Sequence, residues 1–282
     1  MPDDIEKRDI KLIAVDLDGT LLTTEKELTA RNLELLGRAA AAGIEIVPTT
    51  GRLVKVLSPA VSSLLFLHYA IGANGAQVFD MQKNEPIARA EIPNAEALEI
   101  MTMLDGLPLI YDCYMLDGGW MTRSMWERRD EFAPDRHIAE MIRTVRTPVD
   151  DLKTTVRERG CGVQKIQLFT NDPELRQRLM QELKTRFADL SVTSALKNNV
   201  EMNSRLANKG TALETLAAHI GIDMPQTMAF GDGSNDIPML KCAGIGVAMG
   251  NASPDVKAAA DFVTTDCDNS GVAAGIERFC DI

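Results

Sequence analysis

Apolar residues along this chain come in short blocks, and polar residues gather where each block stops. The block Lys11–Val15 predicts a strand buried on both faces, the pattern of a parallel sheet covered by helices. Thr29 is placed to cap a helix running to Ala42, with Gly43 as its stop. Ile44–Pro48 predicts a second strand, and a helix is expected from its polar exit to about Leu65. Tyr69–Ile71 predicts a third strand, and Asn74-Gly75 turns the chain into Ala76–Phe79, a hairpin signal.

The same alternation returns near the end of the chain. Lys209–Ile220 reads as a helix stopped by Gly221, and Thr227–Phe230 as a strand leaving through Gly231-Asp232-Gly233. A helix over Asp236–Cys242, a strand over Gly244–Met249, a serine-capped helix over Ser253–Ala260, a short strand over Asp261–Val263 and a helix over Gly271–Phe279 complete the series. Strand and helix in alternation predict an α/β layered fold with a mainly parallel, Rossmann-like sheet. The middle departs from that rhythm. It mixes predicted helices (Asn94–Leu104, Met125–Arg143, Pro173–Ala188) with strand-like runs (Leu109–Tyr114, Lys165–Phe169, Leu190–Ser194, Asn199–Met202). The expectation is a core of residues 1–84 and 204–282 interrupted by an α+β module over residues 85–203.

Composition narrows the field. The chain has 282 residues and a net charge of −11. An acidic chain without a long basic run is a poor partner for nucleic acid or an anionic membrane. No stretch approaches the ~18 continuous apolar residues of a membrane helix, and the opening MPDDIEKRDIK has no apolar segment of a secretory signal. Five scattered cysteines without a CxxC pair fit a reducing cytoplasm. The oligomeric expectation is a monomer or a small homo-oligomer.

The chemistry is expected where strands end in polar residues. Asp16 and Asp18 close an apolar run, and an unpaired buried carboxylate is costly. Two residues apart on a strand would share a face and could bind one divalent ion, but the run breaks at Gly19, so Asp18 also reads as part of a turn. Thr50-Gly51-Arg52 and Gly231–Asp236 leave two other strands, and ligands of open α/β sheets lie beyond those ends. Lys209 begins a helix just after the middle module. Carboxylates to hold a cation, with hydroxyl, lysine and backbone N–H groups to hold phosphoryl oxygens, suit phosphoryl transfer.

The series DLDGT, TGR, a lone lysine and GDGSND, followed by VAMGNASPDVKAAADFV, resembles the haloacid-dehalogenase-like phosphatases, and within them the Cof-like branch with its cap inserted after the third core strand. The resemblance covers both halves of the core; the insert agrees in position and size. It implies that Asp16 is the nucleophile that becomes an aspartyl phosphate, and that Asp18 is first general acid, then general base. It implies Mg²⁺ held by the Asp16 side chain, the Asp18 backbone carbonyl and Asp232. Thr50, Gly51 and Lys209 then face the phosphoryl oxygens, with Asn235 and Asp236 in support and Arg52, Asn74 and Asn251 near the phosphate or the cap. The implied activity is Mg²⁺-dependent hydrolysis of a small phosphorylated metabolite. Sugar phosphates lead, with pyridoxal phosphate and flavin mononucleotide behind. A phosphomutase or phosphotransferase using the same phosphoaspartate is the alternative, and a noncatalytic binding module the more distant one.

Overall fold

In a computed structural model, residues 8–115, 118–194 and 196–282 are described. The strands among them run β1 (Leu12–Asp16), β2 (Glu45–Thr49), β3 (Tyr69–Gly72), β4 (Gln77–Asp80) and β5 (Glu85–Arg89). Then come β6 (Ile110–Met115), β7 (Gly118–Thr122), β8 (Arg146–Val149), β9 (Lys165–Phe169), β10 (Leu190–Thr193) and β11 (Asn199–Ser204). The last three are β12 (Thr227–Gly231), β13 (Ile245–Ala248) and β14 (Phe262–Val263). Two compact units result, Met1–Ala88 with Asn208–Ile282, and Arg89–Ala207. The first division falls at Ala88 and not at residue 84, because Glu85–Arg89 adds β5 to the edge of the first sheet, and the second falls at Ala207.

The first unit is an α/β fold around one sheet in the order β14-β13-β12-β1-β2-β3-β4-β5. β1 and β12 are buried along their whole length, as the unbroken apolar runs required. Alternate residues of β1 serve two cores. Ile13 and Val15 pack with the helices Ala30–Ala41 and Gly271–Phe279, while Leu12 and Ala14 pack with Lys209–Ile220. Thr29 caps the first of these helices by accepting from Asn32 N, and Gly43 follows it at φ +86°.

Register places the site. Parallel pairing sets Asp16 level with Thr49, and Val15 level with Phe230. The residues that follow, Leu17–Thr20, Thr50–Arg52 and Asp232–Asp236, therefore leave the sheet at one end. The β3–β4 connection brings in a fourth segment, with Asn74 at φ 60° and Gly75 at φ 96°. A Cβ on Gly75 would collide with the Asn208 carbonyl at the start of the Lys209–Ile220 helix.

Two helix expectations failed, both at proline. The helix expected after Arg52 is a 3₁₀ turn over Val54–Val56 and a single turn over Pro59–Ser62, with Leu57 and Ser58 extended between them. A residue before proline is biased away from helical geometry toward an extended one. Likewise Met125–Arg143 is split into Arg123–Glu127, Arg129–Phe132 and Arg136–Val145. Ala133, before Pro134, is extended, and Asp135 caps the third piece by accepting from Ile138 N at 2.9 Å.

The second unit holds a six-stranded sheet ordered β10-β11-β9-β6-β7-β8, antiparallel except for the β7–β8 pair. β5, β7, β8 and the helix Leu152–Glu158 were not foreseen. One face of this sheet carries Tyr111, Cys113, Ile166, Leu168, Val200 and Met202 into an apolar core. The alternate positions Asp112, Lys165 and Glu201 are buried ions. Arg146 approaches Asp112 at 3.0 Å and Lys165 approaches Glu201 at 2.8 Å.

Gly75→Ala is expected to destabilise the chain by roughly 2 kcal/mol or more, since it adds both a strained φ and a backbone collision. Urea unfolding measures this, and an unchanged midpoint would contradict the packing described.

Candidate active site

Asp16 is the last residue of β1 and is buried. Its Oδ1 accepts from Lys209 Nζ at 2.5 Å, and the same ammonium donates to Asp236 Oδ1 at 2.5 Å. Lys209 is fully buried at the first position of its helix, whose N-terminus Asn208 caps by accepting from Thr211 N at 2.9 Å. A lysine there opposes the helix dipole, so the two carboxylates are what hold the charge in place.

The loop after β12 folds around Asp236. Its Oδ2 accepts from Asp232 N at 3.0 Å and Gly233 N at 2.9 Å, and a Cβ on Gly231 would collide with the Asp236 side chain. Asp232 Oδ1 accepts from Thr20 Oγ1 at 3.0 Å, and Asp232 Oδ2 from Asn251 Nδ2 at 3.3 Å. Asn251 also donates to the Gly19 carbonyl at 2.8 Å. Gly19 has φ +88°, and a Cβ there would lie 2.5 Å from Asp232 Oδ2. Glycine is required on both counts.

The side chain of Asp18 goes elsewhere. β1 ends at Asp16, Asp18 lies in the turn beyond it, and its Oδ1 accepts from Arg52 Nη2 at 2.8 Å with Lys26 Nζ at 3.1 Å. Of the two readings open for Asp18, a shared strand face with Asp16 or a place in the turn, the structure has the turn. The acidic cluster is Asp16, Asp232 and Asp236, whose ligand atoms lie within 4.8 Å of one another.

A second group borders it. Thr50, nearly fully buried, accepts from Arg52 N on Oγ1 at 3.1 Å. Gly51 faces Asn74, whose Oδ1 would stand 2.9 Å from a Cβ there, and Asn235 Nδ2 donates to that same oxygen at 3.1 Å. Every residue singled out in the sequence thus lies at this end of the sheet, in the first unit. Thr20 and Lys26 were not given roles. Thr20 stood inside the DGT motif without a partner to suggest its use, and Lys26 sits in a polar turn, TTEKE, where no spacing marks it.

Charge decides what the cluster can hold. Three carboxylates surround one ammonium, an excess of two negative charges when all are ionised. Burial, then Asp236, pushes Asp16 up to about 7 against the pull of Lys209. Burial and Asp236 also raise Asp232, opposed by the Thr20 hydrogen bond. Burial alone would lower Lys209, but Asp16 and Asp236 outweigh it and hold it above the usual lysine range. Asp16 and Asp232 shift upward through burial and the neighbouring carboxylate, and Lys209 shifts upward through its two carboxylate partners. Oxygen donors with that excess of negative charge fit a hard divalent cation. Asp236 is the least available ligand, since it is nearly fully buried and its two oxygens accept from Lys209 and from the N–H groups of Asp232 and Gly233.

The family model described as haloacid dehalogenase-like hydrolase matches residues 13–276. The chain is 28% identical to 5-amino-6-(5-phospho-D-ribitylamino)uracil phosphatase of Bacillus subtilis (strain 168) over 97% of each chain. It is 30% identical to pyridoxal phosphate phosphatase of Escherichia coli (strain K12), over 93% of this chain and 96% of that one. A haloacid dehalogenase-like hydrolase from Bacteroides thetaiotaomicron has a similar crystal structure, with a TM-score of 0.83 and 28% identity, covering 96% of this chain and all of that one.

In metal-free buffer, folding keeps on Asp16 a proton that the unfolded chain releases near its ordinary value of 3.8. That contribution to stability is present at low pH and is lost as pH rises from about 4 through about 7. Asp16→Asn removes it. The variant is expected to gain on the wild type steadily over that range, its own stability lacking this pH dependence. Urea unfolding across pH checks this, and a difference that does not vary with pH would contradict it.

Proposed function

The chain belongs to the haloacid dehalogenase-like hydrolases, in their Cof-like branch, and from that premise we propose that it is a Mg²⁺-dependent phosphatase of a small phosphorylated metabolite, working through Asp16. The observation that carries the proposal is the buried Asp16–Lys209–Asp236 bridge beside Asp232, at the carboxyl end of parallel strands. The relatives named above are phosphatases of such metabolites. Sugar phosphates are the first candidates, followed by pyridoxal phosphate and flavin mononucleotide. Specificity for the leaving group is assigned to the inserted module, residues 89–207.

The sequence of steps is the one that the family implies for these side chains. An Asp16 oxygen attacks phosphorus, and the bond from phosphorus to the ester oxygen breaks. The electron pair stays on that oxygen, which takes a proton from Asp18. Asp18, now ionised, takes a proton from water as the water oxygen attacks the phosphoryl group. The bond to Asp16 breaks, Asp16 returns as a carboxylate and inorganic phosphate is released. Thr50 and Lys209 bind the phosphoryl oxygens, where charge spreads in the transition state. Mg²⁺ held by Asp16, the Asp18 carbonyl and Asp232 would supply the positive charge that lets a phosphate dianion sit among carboxylates. Asn235 and Asp236 keep Lys209 and the Asp232 loop in place, while Arg52, Asn74 and Asn251 hold the surrounding segments.

Phosphate release from a panel of sugar phosphates, pyridoxal phosphate and flavin mononucleotide, with no acceptor added, tests the reading. At least one substrate is expected to turn over, with chelation stopping the reaction and Mg²⁺ restoring it. Asp16→Asn should lower turnover about a thousandfold or more, the scale of losing a covalent nucleophile. Activity indifferent to chelation, or retained by Asp16→Asn, would sink the proposal.

A further inference from the structure

Lys26 lies outside the acidic cluster, yet it is held with care. The chain leaving Asp18 closes a tight turn. Leu22 and Leu28 form an antiparallel bridge, Thr23 N donates to the Glu27 carbonyl at 2.9 Å, Lys26 N donates to the Thr23 carbonyl at 2.9 Å, and Glu27 N donates to Thr23 Oγ1 at 3.1 Å. Lys26 itself has φ +65°, a region disfavoured for a residue with a Cβ. The turn is also anchored from outside. Thr24 donates through N at 2.9 Å and through Oγ1 at 3.1 Å to Asp268 Oδ1. The neighbouring Cys267 N donates to Asn251 Oδ1 at 3.0 Å, and Asn251 reaches Gly19 and Asp232. These segments rim a recess of about 430 Å³ whose wall includes Asp18 and Lys26.

The closed ring of hydrogen bonds delivers the Lys26 ammonium to Asp18 Oδ1 at 3.1 Å, the same oxygen that Arg52 meets at 2.8 Å. The last torsion of an aspartate is soft, so its carboxylate turns easily. One contact leaves the carboxylate free to pivot; two contacts, from segments at residues 26 and 52, fix it. A proton donor must stand within hydrogen-bond reach of the leaving oxygen. We propose that Lys26 is a positioning residue of this site, which together with Arg52 aims the Asp18 carboxyl at the leaving-group oxygen. The inference rests on the phosphatase reading above. It concerns the step in which the phosphorus–oxygen bond breaks and the departing oxygen, keeping the electron pair, receives the Asp18 proton.

Two aryl esters separate this role from a merely structural one. Phenol has a pKa near that of tyrosine, about 10, and its departure needs a proton. The more acidic p-nitrophenol leaves without one. Lys26→Met is expected to lower kcat/KM for phenyl phosphate about tenfold more than for p-nitrophenyl phosphate, a part of the ~10²–10⁴ that general acids supply. Lys26→Arg should restore most of the difference. Equal losses on both esters, or no loss on either, would overturn the proposal while leaving the phosphatase reading intact. A wild-type chain that releases phosphate from neither these esters nor the metabolite panel would remove that reading, and this proposal with it.

Discussion

The Lys209 ammonium, shared at 2.5 Å between Asp16 and Asp236, is the interaction on which the rest depends. It is a fully buried charge at the wrong end of a helix, and removing either partner would leave it costly to bury. It also ties together three points far apart in the chain: the end of the first strand, the first helix after the inserted module, and the loop leaving β12. A sheet that failed to bring those points to one edge could not bury the lysine, so the parallel order and this bridge imply each other.

The bridge does not balance its own charges. Burial, with one ammonium among three carboxylates, leaves Asp16 and Asp232 harder to ionise than free aspartate. A fold that stores repulsion at one place, beside backbone held open by Gly19 and Gly231, is suited to receiving a cation and a phosphoryl group together. The stored repulsion and the function are then one property of the site.

Much of this could be read in the residues, because the strongest signals are local. An unbroken apolar run ending in carboxylates marks a buried strand with a site at its end, and β1 and β12 are such strands. Gly221 stops its helix at φ 73°, as expected of a glycine in that place. The failures have physical causes too. Pro59 and Pro134 broke helices that the apolar spacing alone would have continued. Glu85–Arg89 and Arg146–Val149 carry no run of alternating apolar residues, and they are strands because neighbours pair with them. Asp18 and Lys26 show the limit most plainly. Spacing along the chain tells which face a residue starts from, but the turn after Asp16 redirects one side chain and brings the other to meet it. The four site segments were legible from their order and from the family they resemble; the partners that aim each side chain were not.

The most direct test of the account is to find where the phosphoryl group resides during turnover. Single-turnover reaction with a phosphate ester that the chain hydrolyses, quenched rapidly in acid and mapped by peptide mass spectrometry, should find one phosphoryl group on Asp16. Phosphoryl transfer to any other residue, or release of phosphate with no phosphorylated Asp16 formed along the way, would contradict it.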